Sequence, residues 1–447
     1  MERILIGDLK DHIGKDVTIK GWVDGVRDHG KVAFLVLRDR SGNVQAVASG
    51  DYNETALPAA QELGEQYAVE IMGEVKERPE KMKREEVNGE LEFGIKEIVV
   101  LSKAEQMPFD MSAELNIDTH LDNLPLTLRT EKSRAIFKVQ SEILIAYRAF
   151  LNKEGFTEFQ SPKITGDDAE GGANTFSFDY FGDTKAHLAT SPQFYKQIMT
   201  GVYERVFSTG TAFRAEKHST SRHLNEYTSL DLEMAFIKDY KDVANLVADL
   251  MRHIVEHLKE TCVAEFKLLD AEFPLAPKEF PMMKLVEAQE LIKKETGEDT
   301  VGEPDLEPEH ERWLCTYAKE NLDSDFIYIT HYPVSKRPMY TFEDPETPGF
   351  TGSFDMLFRG VEIMSGGQRR HEYDNLVEGI KMKGLDPDKF SYYLQAFKYG
   401  MPAHGGIGMG LERLTAKFLN IKNVKEATLF PRDMNRIDTL LHKNDSE

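Results

Sequence analysis

Phe213-Arg214-Ala215-Glu216 with Arg222-His223-Leu224-Asn225-Glu226, and far downstream Gly406-Ile407-Gly408-Met409-Gly410-Leu411-Glu412-Arg413, are the stretches on which this chain is read. Each sets an arginine beside a carboxylate. Fixed guanidinium groups are what a pentacoordinate α-phosphate needs for its stabilisation. Glycines next to the second arginine let the backbone approach a flat adenine ring. Taken singly, either stretch also fits a buried Arg–Glu pair. Together, and in this order, they point to nucleotide chemistry.

Three further stretches lie between or before them. Val361-Glu362-Ile363-Met364-Ser365-Gly366-Gly367-Gln368-Arg369 reads as a strand that runs into a glycine pair and ends on a guanidinium. Ser191-Pro192-Gln193-Phe194-Tyr195-Lys196-Gln197 carries a lysine that could neutralise a substrate carboxylate, although an exposed helix lysine is the commoner case. Asp167-Asp168-Ala169-Glu170-Gly171-Gly172-Ala173 is an acidic, glycine-rich loop of a kind that suits a ligand ammonium group, and equally a plain surface loop.

The 447 residues predict two or three domains. Residues 1–104 alternate with strand periodicity over Val17–Val23, Lys31–Arg38 and Val44–Ala48. A short helix is expected over Ala56–Glu65, and strands near Val69–Val75 and Leu91–Leu101. Three strands, a helix and two strands is the order of a five-stranded OB-fold barrel. Residues 105–130, with Pro108 and Pro125, read as a hinge. From residue 131 to 447, helices are expected over Glu131–Glu154, Tyr240–Glu260, Met283–Glu295 and Glu309–Asn321. Strands are expected near Phe326–Ile329, Phe354–Phe358 and Val361–Met364. Antiparallel strands interrupted by helices predict an α+β domain, and there is no P-loop or Rossmann fingerprint.

The net charge of −22 speaks against a general nucleic-acid binder, so any such contact must use a local basic face. No stretch of about 18 apolar residues is present, which argues against a membrane span. The start, Met1-Glu2-Arg3-Ile4, lacks a signal-peptide pattern. The two cysteines, Cys262 and Cys315, have no metal-ligand spacing. A cytoplasmic location is expected.

The two arginine stretches resemble motifs 2 and 3 of the class II aminoacyl-tRNA synthetases. The likeness extends from Ile4 to Leu429-Phe430-Pro431-Arg432-Asp433, and is greatest to the compact archaeal and eukaryotic-type aspartyl-tRNA synthetases. The resemblance implies an antiparallel catalytic sheet flanked by helices, behind an anticodon-binding barrel. It implies activation of L-aspartate by ATP and transfer to tRNA-Asp, with tRNA-Asn as a second acceptor left open. Arg214 and Arg413 would act on the α- and γ-phosphates. Glu216, Arg222, His223, Leu224, Glu362, Gly410, Leu411 and Glu412 would complete the ATP site. Glu362 and Ser365 would hold Mg²⁺. Glu170, Gln193, Lys196, Arg214, Ser365 and Arg369 would bind aspartate. In the barrel, Arg27, Phe34 and Gln45 would meet the anticodon, although Phe34 could equally be core. Gly155–Pro162, after the long helix, resembles motif 1 and implies a homodimer.

Asparagine–tRNA ligase is the near alternative, set aside because Lys196 and the Gly-Gly-Gln-Arg form favour an anionic substrate. A synthetase-like enzyme making free asparagine, or a non-catalytic tRNA-binding protein, is the alternative of another kind. The intact barrel argues against the first, and Arg214, Glu362 and Arg413 against the second.

Overall fold

The computed structural model describes residues 2–50, 52–83, 88–111, 113–166 and 174–438. The chain divides into two compact units, Met1–Glu114 and Leu115–Glu447. Glu170 and its neighbours, and the middle of the Glu77–Glu90 run, lie outside the described residues.

The first unit is the expected barrel. Strands β1 (Asp16–Asp28), β2 (Val32–Asp39), β3 (Gly42–Ser49), β4 (Ala68–Glu77) and β5 (Leu91–Ser102) close in the order β1-β2-β3-β5-β4, with helix α1 (Ala56–Gln61) between β3 and β4. Period-two patterning sends Ile19, Val23, Leu35, Leu37, Ala46, Ile71 and Phe93 inward. Phe34 is not among them. It stands opposite Arg27 and Val47, on the outer face of β2, and meets His29 edge-on at 5.8 Å. Gln45 lies opposite Val36, two residues along the same face.

The second unit opens with two short helices, α2 (Ile117–Asp122) and α3 (Leu124–Thr127), inside the stretch expected to be a hinge. Helix α4 (Glu131–Lys153) follows, capped by the Thr130 side chain. Then come β6 (Thr157–Glu158), β7 (Ile164–Thr165), β8 (Ser177–Asp179), β9 (Lys185–Leu188), α5 (Gln193–Tyr203), β10 (Arg205–Phe213) and β11 (Glu226–Ala235). Next are α6 (Tyr240–Thr261), α7 (Val263–Leu268), β12 (Met282–Lys284), α8 (Leu285–Thr296), α9 (Pro308–Leu322) and β13 (Phe326–Thr330). The unit closes with β14 (Ser353–Phe358), β15 (Val361–Gln368), α10 (Tyr373–Met382), α11 (Ser391–Lys398), β16 (His404–Gly410) and α12 (Leu411–Phe418).

An eight-stranded sheet runs β12-β13-β14-β15-β16-β11-β10-β6. Its pairs from β13 to β10 are antiparallel, and each edge strand is parallel to its neighbour. Helices α4 and α6 pack together on one face, where Leu230, Leu232, Ile407, Met409, Phe354 and Met356 form the core with them. The apolar stripe of α4 is therefore used inside the chain. Alternation puts the polar residues of the same strands on the opposite face, where the site lies.

Candidate active site

Two rows of residues cross that open face. In one, Asp355 stands opposite Ser365, Ser365 opposite Gly408, and Gly408 opposite Asp231. In the other, Ser353, Gly367, Gly406 and Glu233 line up in the same way. The glycines of these rows clear floor space. A Cβ at Gly406 would run into the Leu232 carbonyl and the Glu233 carboxylate. Glu362 reaches this face by a β-bulge: Asp355 and Met356 pair with Ser365 and Met364, but Leu357 pairs with Glu362. Ile363 and Met364 both go to the core, and Glu362 turns to the cavity. Met364, although next to Ser365, is thus a core residue.

Above the rows is a cavity of about 480 Å³. Its walls bring together Gln193, Lys196, Arg214, Glu216, Arg222, His223, Leu224, Glu362, Ser365, Arg369, Gly410, Glu412 and Arg413. Leu411 is not in the wall; its side chain is buried in the core. Arg27, Phe34 and Gln45 belong to the other unit.

The floor at one end is a buried ion cluster. Lys196 is 1% exposed and donates to Asp231 at 2.9 Å and to the Ile407 carbonyl at 2.8 Å, with Glu233 at 3.5 Å. Arg369 donates from Nε and one Nη to the two Glu233 oxygens, at 2.8 and 3.3 Å, and to the Gly406 carbonyl at 2.9 Å. Burial raises the Glu233 carboxyl, but the Arg369 and Lys196 charges outweigh it and hold the group below its ordinary value. The two cations aimed at a substrate carboxylate already have protein carboxylates as partners. Asp231 and Glu233 went unnoticed in the sequence, although acids alternating with Leu230 and Leu232 in a buried strand were the available signal.

Behind this cluster, Gln193 donates to Gln197 at 2.9 Å, as does the Tyr393 hydroxyl. Gln197 also meets His404 Nε2 at 2.9 Å, while His404 Nδ1 faces the Pro402 carbonyl at 2.8 Å. A carbonyl only accepts, so Nδ1 carries the proton and Nε2 accepts from Gln197. Burial holds His404 neutral, its pKa depressed to about 4.

The other end carries the arginines. Arg214 sits at the exit of β10; the Asn225 side chain donates to the Arg214 carbonyl at 2.6 Å and pins the loop that follows. Arg214 and Glu216 are 3.8 Å apart, and His223 lies 3.7 Å from Glu216. Arg222 faces Glu311 at 3.9 Å. Arg413, near the start of α12, donates to the Glu362 carbonyl at 2.8 Å. The Glu412 carboxylate, at the cavity wall, accepts from the Thr228 backbone N–H at 2.9 and 3.0 Å. It ties α12 to β11 and so aims Arg413. Burial raises Glu412 to about 7.

Burial, and then the nearby Asp355 charge, push Glu362 up to about 8, against the pull of Arg413 and Arg337. Asp355 is buried, and its Oδ1 has no hydrogen-bond partner. Two crowded carboxylates, one with an orphaned oxygen, and a hydroxyl form a hard-oxygen donor set that fits Mg²⁺. Among the described residues no cluster of three or more His, Cys, Asp or Glu makes a complete metal site. Mg²⁺ typically takes one or two carboxylates and completes its shell with substrate phosphates and water. Glu362, Ser365 and Asp355 suit that mode.

The chain matches two family models. Residues 116–434 match the tRNA synthetases class II (D, K and N), and residues 17–101 the OB-fold nucleic acid binding domain. The aspartate–tRNA(Asp/Asn) ligase of Thermus thermophilus is 45% identical over 97% of this chain and 99% of its own length. The aspartate–tRNA(Asp) ligase of Pyrococcus abyssi is 39% identical over 95% and 96%. Among solved structures, asparaginyl-tRNA synthetase from Pyrococcus horikoshii complexed with asparaginyl-adenylate superposes with a TM-score of 0.89 at 31% identity, covering 98% of this chain and 99% of that one.

Proposed function

The chain belongs to the class II tRNA synthetases (D, K and N), and from that premise we propose that it is an aspartate–tRNA ligase. One observation supports this above others. A single cavity holds Arg214, Arg413 and Glu362 beside Lys196 and Arg369, so a nucleotide site and a carboxylate site share one floor.

In this reading the α-carboxylate of L-aspartate attacks the α-phosphorus of ATP, and pyrophosphate leaves. The attacking group is already ionised, so no general base is required, and catalysis is positioning and charge neutralisation. Arg214 takes the α-phosphate and the substrate carboxylate. Arg413, fixed by the Glu362 carbonyl, takes the γ-phosphate. Glu216 accepts from the adenine amino group, and Arg222, His223 and Leu224 close over the nucleotide. The backbone of Gly410 and Leu411 lies along adenine. Glu362, Ser365 and Asp355 would hold Mg²⁺, which when bound would supply charge neutralisation of the phosphates. Glu170 would receive the ammonium group. In the second step the 3′-terminal ribose hydroxyl of tRNA attacks the aspartyl carbonyl, and AMP leaves.

The acceptors in this reading are tRNA-Asp and tRNA-Asn, the pair named for the relative that is 45% identical. Aminoacylation of both purified tRNAs with aspartate tests it. No aspartylation of either refutes the reading, and charging of tRNA-Asp alone narrows it. Asparagine is the second candidate substrate, favoured by the neutral balance of Lys196 and Arg369 against Asp231 and Glu233.

The outer face of Phe34, Arg27 and Gln45 is where unpaired anticodon bases would stack and bond. Phe34→Ala should leave aspartate activation intact and weaken tRNA binding by about 1–3 kcal/mol. A tRNA KM equal to that of the wild type would show the face to be idle.

A homodimer is the assembly we assign, joined through the Glu131–Pro162 region and its continuation. Ile145 on α4 is exposed, and so are Ile164 on β7, Phe178 on β8, and Tyr180 and Phe181 in the turn between β8 and β9. An apolar surface of this kind suits a closed two-fold contact. Light scattering at micromolar concentration should give twice the mass of one chain; a monomer refutes the assignment. No helix of the described residues is long and apolar enough to cross a membrane.

A further inference from the structure

Arg337 lies in the segment between β13 and β14, a stretch that none of the sequence motifs covers. Its guanidinium donates to Asp355 Oδ2 at 2.6 Å and to Ser365 Oγ at 3.2 Å, and it stacks over the Tyr332 ring at 3.9 Å. The same segment is fastened from outside, where Lys383 donates to the Val334 and Ser335 carbonyls at 3.1 and 2.8 Å. Arg337 therefore sits on two of the three groups that fit a divalent cation. Both members of the pair are incompletely satisfied: Arg337 Nε and Asp355 Oδ1 are buried without a hydrogen-bond partner. A pair built only for stability would use those atoms, since an unpaired buried polar atom costs about 1–3 kcal/mol.

We propose that Arg337 is a resident counter-cation of the metal seat, which competes with the divalent ion for Asp355 and Ser365. Without nucleotide, its charge neutralises the buried carboxylates and keeps free metal out. The polyphosphate of ATP adds negative charge to the cavity and shifts the balance, so metal enters with the nucleotide. Arg337 is then a positioning residue that couples metal binding to ATP binding. The inference rests on the ATP-site reading above.

The test is Mn²⁺ titration of the nucleotide-free full chain, read by electron paramagnetic resonance, with thermal melting alongside. Loss of the competing charge in Arg337→Gln should tighten Mn²⁺ binding about tenfold or more. Arg337→Lys keeps the charge but not the fork that spans Asp355 and Ser365, and should give a smaller gain of about threefold. Arg222→Gln removes an equal charge from the same cavity without touching Asp355, and should give no comparable gain. If Arg337→Gln is unfolded alone and recovered by Mn²⁺, the metal has taken over the role of the guanidinium, which supports the proposal. No gain in either Arg337 variant, or an equal gain in Arg222→Gln, overturns it. Failure of wild-type pyrophosphate exchange with aspartate would instead refute the functional reading, and the titration does not depend on that assay.

Discussion

Pyrophosphate exchange with L-aspartate should exceed that with L-asparagine by about 10⁴–10⁵. The two amino acids differ by an oxygen against an NH₂, so size does not separate them. Net charge separates them less than the motifs alone suggest, because Lys196 and Arg369 are already balanced by Asp231 and Glu233. Hydrogen-bond polarity does the separating. Lysine and arginine can only donate, and asparagine would set its NH₂ against them. Each mismatched buried donor costs about 1–3 kcal/mol, more when charged. Lys196→Leu should lose aspartate activation without gaining asparagine. It should also lower the melting temperature, because removing one partner of a buried ion pair costs about 3–5 kcal/mol. Comparable exchange with the two amino acids in the wild type would replace the aspartyl reading by the asparaginyl one.

Arg413→Ala should slow pyrophosphate exchange by about 10²–10³, the loss typical of one preorganised charge contact in a transition state. The structure shows why Arg413 is preorganised. Glu412 is tied to the Thr228 N–H and Arg413 to the Glu362 carbonyl, so the guanidinium is held before substrate arrives. Binding of tRNA should be nearly unchanged, since the anticodon face belongs to the other unit. Exchange within threefold of wild type, on a scale where about 1.4 kcal/mol is tenfold, would remove Arg413 from the phosphate site.

Much of the architecture was legible because it is written in local periodicity. The alternation over Val17–Val23 and Val44–Ala48 placed the barrel strands, and the apolar spacing of Glu131–Glu154 placed α4 within a residue. The arginine-centred stretches announced nucleotide chemistry for a similar reason. An arginine flanked by glycine or a carboxylate is a local pattern, readable without knowing what it touches.

Pairing across strands was not legible. Register brings Asp355, Ser365, Gly408 and Asp231 into one row, and a single bulge decides that Glu362 faces the cavity rather than the core. Burial of Lys196 depends on β11 supplying Asp231 and Glu233 beneath α5. Phe34 could be core or surface on its own pattern, and barrel closure put it outside. Sequence by itself determined which elements form and which chemistry they carry, because hydrophobic period and residue type are properties of a segment. Tertiary structure alone decided which charges neutralise each other, because an ion pair between residues far apart in the chain exists only once the strands between them have chosen their partners.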